Sequence, residues 1–195
     1  DATASVAAAA GARVVRHERN RGKGAAVRTG MLAATGRTVA FLDADLAYPP
    51  VQARVLLHAV EDGWDVAVGN RFDPSSEVEG RTRLRYAVGR VFNAVTASVL
   101  LGQYRDTQCG CKAFRSDVAR SLFERTRLDG FAFDVEVLHL VELDQLSLLE
   151  VPVTLRETGG STVHVVRSSL EMLRDLLRVR GWSSRGANDQ TPSRE

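Results

Sequence analysis

The sequence predicts an α/β fold, a mostly parallel sheet flanked by helices. Three observations carry this. Short apolar runs alternate with amphipathic helical stretches along the first 69 residues. Runs such as Thr38-Val39-Ala40-Phe41-Leu42 are continuously apolar, as in strands covered on both faces. The chain has 195 residues and is 44% hydrophobic, which suits one globular domain with a sizeable core.

Taken in order, Asp1-Ala2-Thr3 and the alanines to Ala10 read as a helix with an acidic start, closed by Gly11. Arg13-Val14-Val15-Arg16 is a short strand candidate. A second helix fits Gly24 to Thr35, closed by Gly36, and the Thr38 to Leu42 strand follows. Pro49-Pro50 opens a helix with Val55, Leu56, Ala59 and Val60 at helical spacing. Trp64 to Gly69 is a buried strand, and polar Asp73 to Thr82 is a loop. Leu84 to Leu101 reads as helix, Gln103 to Gln108 as irregular, and Phe131 to Leu143 as buried helix. Leu148 to Leu155 is a strand interrupted by Pro152, and Ser169 to Arg180 is an amphipathic helix. Residues 1–182 are expected to form one domain, with a disordered tail over 183–195.

All but two of the 26 basic residues are arginine, the lysines being Lys23 and Lys112, yet the net charge is only +2. No concentrated basic excess marks a nucleic-acid binder. No apolar run approaches the roughly 18 to 20 residues of a membrane span, and no secretory signal is present, so a cytoplasmic location is expected. Cys109 and Cys111 are too few for a zinc cage or disulfide framework and read as small buried residues.

Chemistry concentrates after the strands. Asp43-Ala44-Asp45 follows an apolar strand at the edge where α/β sheets bind ligands. Alternate strand residues share a face, so the two carboxylates are expected to converge on a hard cation, Mg²⁺ or Mn²⁺, that also holds substrate phosphates. An N-cap or turn pair is the bland alternative. Gly22-Lys23-Gly24 is a glycine turn entering a helix, suited to an anionic phosphate, without the Ser or Thr of a Walker A motif. A Rossmann fingerprint fits less well, since Val27 replaces its third glycine. Arg71 ends the next strand at the same edge, and Arg81, Arg83, Arg85 and Arg90 follow; Arg71 and Arg85 are phosphate-contact candidates, the alternative for the run being a solvated helix face. Asp134 is a general base, an acceptor-positioning group, or simply a helix N-cap, and on a helix Glu136 cannot share its site. His139, between Leu138 and Leu140, reads as core.

These segments together resemble the family 2 glycosyltransferases, in the polyprenyl- or dolichyl-phosphate hexosyltransferase branch, with dolichyl-phosphate β-glucosyltransferases the most similar. The matching stretches are Arg19 to Gly30, Phe41 to Leu46, Val68 to Arg71, Asp106 to Arg115, Phe131 to Glu136 and Val151 to Thr154, with Gly160-Ser161 and the helix near Met172. The resemblance implies a GT-A fold and a nucleotide-sugar donor, UDP-glucose or GDP-mannose. It implies a divalent metal held by Asp43 and Asp45 against the diphosphate, with Gly22, Lys23 and Gly24 in the donor site. Arg71 would contact the diphosphate or acceptor phosphate and Arg85 the acceptor phosphate. The acceptor would be a polyprenyl phosphate at a membrane surface, placing the protein in the cytoplasm or peripherally at the cytoplasmic membrane face. Such an acceptor is already anionic near neutral pH and needs positioning more than a base.

Three departures from the family pattern stand out. The first strand and acidic segment of the family are expected to be missing ahead of Asp1, Gly89 stands where serine is frequent, and Ala47-Tyr48 replaces a Ser or Thr. Two alternatives therefore accompany the expected inverting hexosyltransferase. One is a family 2 enzyme acting on a sugar hydroxyl of a cell-envelope glycan, with Asp134 as base. The other is a truncated, non-catalytic remnant. The helix ending at Trp182 carries Leu170, Leu173, Leu176 and Leu177 along one side, and either lies on a membrane surface or packs on the sheet.

Overall fold

The computed structural model describes residues 2–80, 83–99, 104–156 and 174–182, with the side chains of 83–85 and 99 outside that description. The order is α1 (Thr3–Ala9), α2 (Lys23–Ala33), β1 (Thr38–Leu42), α3 (Val51–Glu61), β2 (Val66–Asn70), β3 (Glu77–Glu79) and α4 (Arg83–Val99). Then come β4 (Cys111–Arg115), α5 (Ser116–Arg125), α6 (Phe133–Leu143), β5 (Leu148–Pro152) and β6 (Thr154–Arg156). A last helix, α7, covers 174–182. The expected tail over 183–195, Gly160-Ser161, Met172 and the start of the last helix lie outside the described residues.

The main sheet has the order β1-β4-β2-β5. β4 runs antiparallel to both β1 and β2, whereas β2 and β5 pair in parallel from Val66↔Leu148 to Asn70↔Pro152. β1, β2 and β5 therefore point the same way, which preserves the α/β class. The mostly parallel ladder is corrected by β4, a strand that the apolar pattern does not reveal. Lys112 interrupts its short run and masks it. The following α5 carries ordinary helix signals, with Asp117 in the first turn, Arg125 in the last, and Val118, Leu122 and Phe123 buried.

Three further expectations change. Arg13 to Arg16 forms no strand among the described residues, because a strand exists only through a ladder partner and none is described beside it. Asp73 to Thr82 contains the short β3, which pairs in parallel with β6. β6 separates from β5 at Val153, directly after Pro152, a residue that cannot donate to a ladder.

Alternation along the strands divides the core. Val39, Val66, Val68 and Phe114 face a cluster built with α5 and α6, including Leu122, Phe123, Val135 and Leu138. Ala67, Cys111 and Ala113 face the other side, against Leu56, Ala59 and Val60 of α3. In α7, Leu176 and Val179 are buried in the first cluster while Leu177 is exposed. The described part of that helix thus packs on the core. Among the described residues, no helix is long and apolar enough to cross a membrane.

Candidate functional site

Because β1 and β2 run together and β4 runs against them, the ends of β1 and β2 and the start of β4 meet at one edge. Asp43 continues the pairing, its N–H donating to the Gly110 carbonyl at 2.9 Å. The approach is close enough that a Cβ on Gly110 would sit 1.9 Å from Asp43 Oδ2. Beyond Asp43 the chain turns. Asp45 is exposed, its Oδ1 accepts the Ala47 N–H at 3.1 Å, and Leu46 has φ +56°. Strand alternation therefore ends at Leu42 and does not by itself align the two carboxylates.

Their surroundings differ. Lys23 Nζ lies 2.6 Å from Asp43 Oδ1, both side chains being partly exposed. Burial pushes the Lys23 ammonium down, but Asp134 and Asp43 more than offset it, leaving its pKa raised. Asp45 has no cationic partner among the described residues. Asp45 thus offers the oxygen donor chemistry that a hard cation takes alongside substrate phosphates and water. Among the described residues no group of three or more His, Cys, Asp or Glu side chains is arranged for a metal, so phosphate oxygens and water would complete its shell.

Gly22 and Gly24 have a packing reason of their own. Gly22 has φ +99°, and its Cβ would meet the Asp129 carbonyl at 2.4 Å; at Gly24 a Cβ would meet the Leu128 carbonyl at 2.5 Å. The Ala25 N–H in the first turn of α2 donates to that same Asp129 carbonyl at 3.3 Å. The glycine turn lets α2 dock on the 128–130 loop and thereby delivers Lys23 to Asp43. Glu136 holds that loop, accepting the Arg127 and Leu128 N–H groups at 2.8 Å each, and so faces away from Asp134.

Arg71, just past β2, forms a two-pronged pair with fully buried Asp106: Nε to Oδ2 and Nη2 to Oδ1, both 2.7 Å, while its backbone N–H reaches Oδ2 at 2.9 Å. Burial alone would raise the Asp106 pKa; Arg71 reverses this and holds it below the usual value. Glu150 Oε1 accepts the Arg105 and Asp106 N–H groups, and Asn93 holds the Arg105 carbonyl and the Thr107 hydroxyl. The Arg85 side chain and all of Arg81 lie outside the described residues. Arg90 lies over the Phe72 ring at 5.9 Å.

Asp134, in the first turn of α6, is buried and paired with fully buried Lys112. Burial raises its pKa, and Lys112 and Lys23 pull it back only in part. The Tyr48 hydroxyl accepts a bond from Cys109 Sγ at 3.3 Å, both residues being buried. Asp106, Gly110 and Lys112 were visible only as parts of one motif, and their individual contacts depend on β4. The available signal was Lys112 itself, one of two lysines, inside an otherwise apolar run.

A family model, "Glycosyl transferase family 2", matches residues 1–123. The chain is 37% identical over 193 residues to a dolichyl-phosphate beta-glucosyltransferase of Drosophila melanogaster, covering 92% of this chain and 59% of that protein. With the human protein of the same description the identity is 30% over 175 residues, covering 86% and 54%. The chain thus spans just over half the length of these curated relatives. A crystal structure of glucosyl-3-phosphoglycerate synthase from Mycobacterium tuberculosis with Mn²⁺, UDP-glucose and phosphoglyceric acid superposes with TM-score 0.69 at 23% identity, over 93% of this chain and 65% of that one. That likeness is one of fold, and it is the GT-A fold implied by the motifs. Motif order, strand topology and the matched model together establish that the chain belongs to glycosyl transferase family 2.

Proposed function

We propose that this chain carries the donor site of an inverting, metal-dependent glucosyltransferase acting on a polyprenyl or dolichyl phosphate at a membrane surface. The observation that carries the reading is the single edge at which the Asp43–Lys23 and Arg71–Asp106 pairs flank the turn leading into β4. The relatives' descriptions support glucose over mannose, and UDP-glucose with Mn²⁺ in the superposed structure supports that donor and cofactor.

The acceptor phosphate oxygen forms a bond to the anomeric carbon as the bond from that carbon to the diphosphate oxygen breaks, and the nucleoside diphosphate leaves. Asp45, together with the diphosphate oxygens, would hold a Mg²⁺ or Mn²⁺, which would supply charge neutralisation worth several kcal/mol. Lys23 holds Asp43 in place at the donor edge. Asp106 fixes the Arg71 fork through Nε and Nη2, so the guanidinium meets phosphate oxygens without first losing rotamer freedom. A sugar-hydroxyl acceptor would need a base, and the candidate, Asp134, is buried against Lys112. A phosphate acceptor, already anionic, fits that arrangement better.

The test is transfer by the full-length protein from labelled UDP-glucose and GDP-mannose to a short-chain dolichyl phosphate, with Mn²⁺ and with EDTA. Lipid-linked glucose formed from UDP-glucose only in the presence of metal is expected. Transfer from GDP-mannose alone, or from neither donor, overturns the proposal.

A further inference from the structure

Lys112 occupies an unusual place for a cation. It lies in β4, the strand between β1 and β2, opposite Phe41 on one side and Val68 on the other, and is fully buried. An apolar residue would satisfy that position, and a buried charge is retained only at a cost. An ammonium has three donors, and three acceptors surround this one: Asp134 Oδ1, the Cys109 carbonyl at 2.9 Å and the Thr107 carbonyl at 3.4 Å. Two of those acceptors belong to the turn that runs from Asp106, which holds Arg71, to Gly110, which abuts Asp43. The third belongs to Asp134, a carboxylate whose charge, like that of Asp43, favours the ammonium of Lys23.

We infer that Lys112 is a positioning residue: by neutralising Asp134 inside the core it leaves Lys23 to Asp43, and so sets the charge presented on the donor side. The inference rests on the function proposed above. Asp43, Lys23, Asp134 and Lys112 carry alternating charges that sum to zero. Without Lys112, Asp134 is a buried carboxylate on which the remaining favourable cation is Lys23, the one that Asp43 uses. Lys23 then has two carboxylate partners to serve, and the one deeper in the core is the less well solvated.

The test is calorimetric titration of UDP with Mn²⁺ into the full-length wild type, Lys112→Met and Lys112→Met/Asp134→Asn, with Tm measured for each. Losing one charge-assisted contact weakens affinity about tenfold. Lys112→Met is therefore expected to bind UDP about tenfold more weakly, and the double variant, with no carboxylate left to divert Lys23, to return to within about threefold of wild type. A purely structural Lys112 would lower Tm and leave affinity unchanged. A folded Lys112→Met that binds like wild type overturns the inference. Where Lys112→Met does not fold, the double variant decides, and either tenfold weaker binding or failure to fold overturns the inference. Silence in all three proteins overturns the functional proposal itself, a pattern distinct from wild-type binding with an unaffected variant.

Discussion

Gly110→Ala isolates the geometry of the donor edge from the stability of the fold. The added Cβ would lie 1.9 Å from Asp43 Oδ2 and 2.3 Å from its Cγ, roughly 1.5 Å short of ordinary contact. Gly110 shows no positive φ, so alanine is not disfavoured by its backbone conformation, and the carboxylate is the group that has to move. That carboxylate is tethered to Lys23 at 2.6 Å, and the Asp43 N–H is tethered to the Gly110 carbonyl at 2.9 Å, so the shift breaks the ion pair rather than being absorbed. A displacement of about 1 Å in a positioned group costs on the order of a hundredfold in rate. Each tenfold is about 1.4 kcal/mol, so about 2.7 kcal/mol of transition-state stabilisation is at stake. The partly exposed pair contributes little to folding, about 1 kcal/mol or less. The assay is kcat/KM for transfer from UDP-glucose to dolichyl phosphate, alongside Tm. Activity within threefold of wild type at unchanged Tm would refute the role given to Asp43.

Three other outcomes are expected. Asp45→Ala removes an exposed side chain and should leave stability within about 0.5 kcal/mol while lowering transfer by two or more orders of magnitude, read from an Mn²⁺ titration of activity. Asp106→Asn leaves Arg71 without its buried partner and should cost about 3–5 kcal/mol in urea unfolding. The folded-state pKa of Asp106 is lowered, so its contribution is complete above the unfolded value of about 3.9 and is lost as pH falls through the folded value. Below about pH 4 the difference between wild type and Asp106→Asn should therefore shrink. Burial pushes the Cys109 thiol up to about 11 and raises Cys111 as well, so iodoacetamide at pH 7.5 should label both in urea and neither in the native chain; native labelling of either contradicts the packing.

Where hydrophobic period and residue type suffice, expectation and structure agree. The helices at Val51, Arg83 and Phe133 and the strands at Thr38 and Val66 follow from apolar spacing and from the prolines and glycines that bound them. β4 was not legible, because a strand whose second residue is a buried lysine violates the apolar rule that identifies buried strands. α5 carries its own helix signal, Val118 and Leu122 four residues apart behind Asp117, but its start is fixed only by the end of β4. Of the candidate site, Asp43, Asp45, Lys23, Arg71 and Asp134 were visible as polar residues at element ends, whereas Asp106, Gly110 and Lys112 had no individual role until β4 was placed.

The linear order of residues was enough for the α/β class, the family and the inventory of charged groups, because each rests on local periodicity or on motif spacing. Which charges pair was decided by topology. β4 runs against its neighbours and brings Asp106 to Arg71 from 35 positions away. The same reversal sets Gly110 against Asp43 and Lys112 against Asp134. Local spacing does not encode such contacts, because they arise only when strand direction and sheet order are both settled, and a single antiparallel insertion changes both.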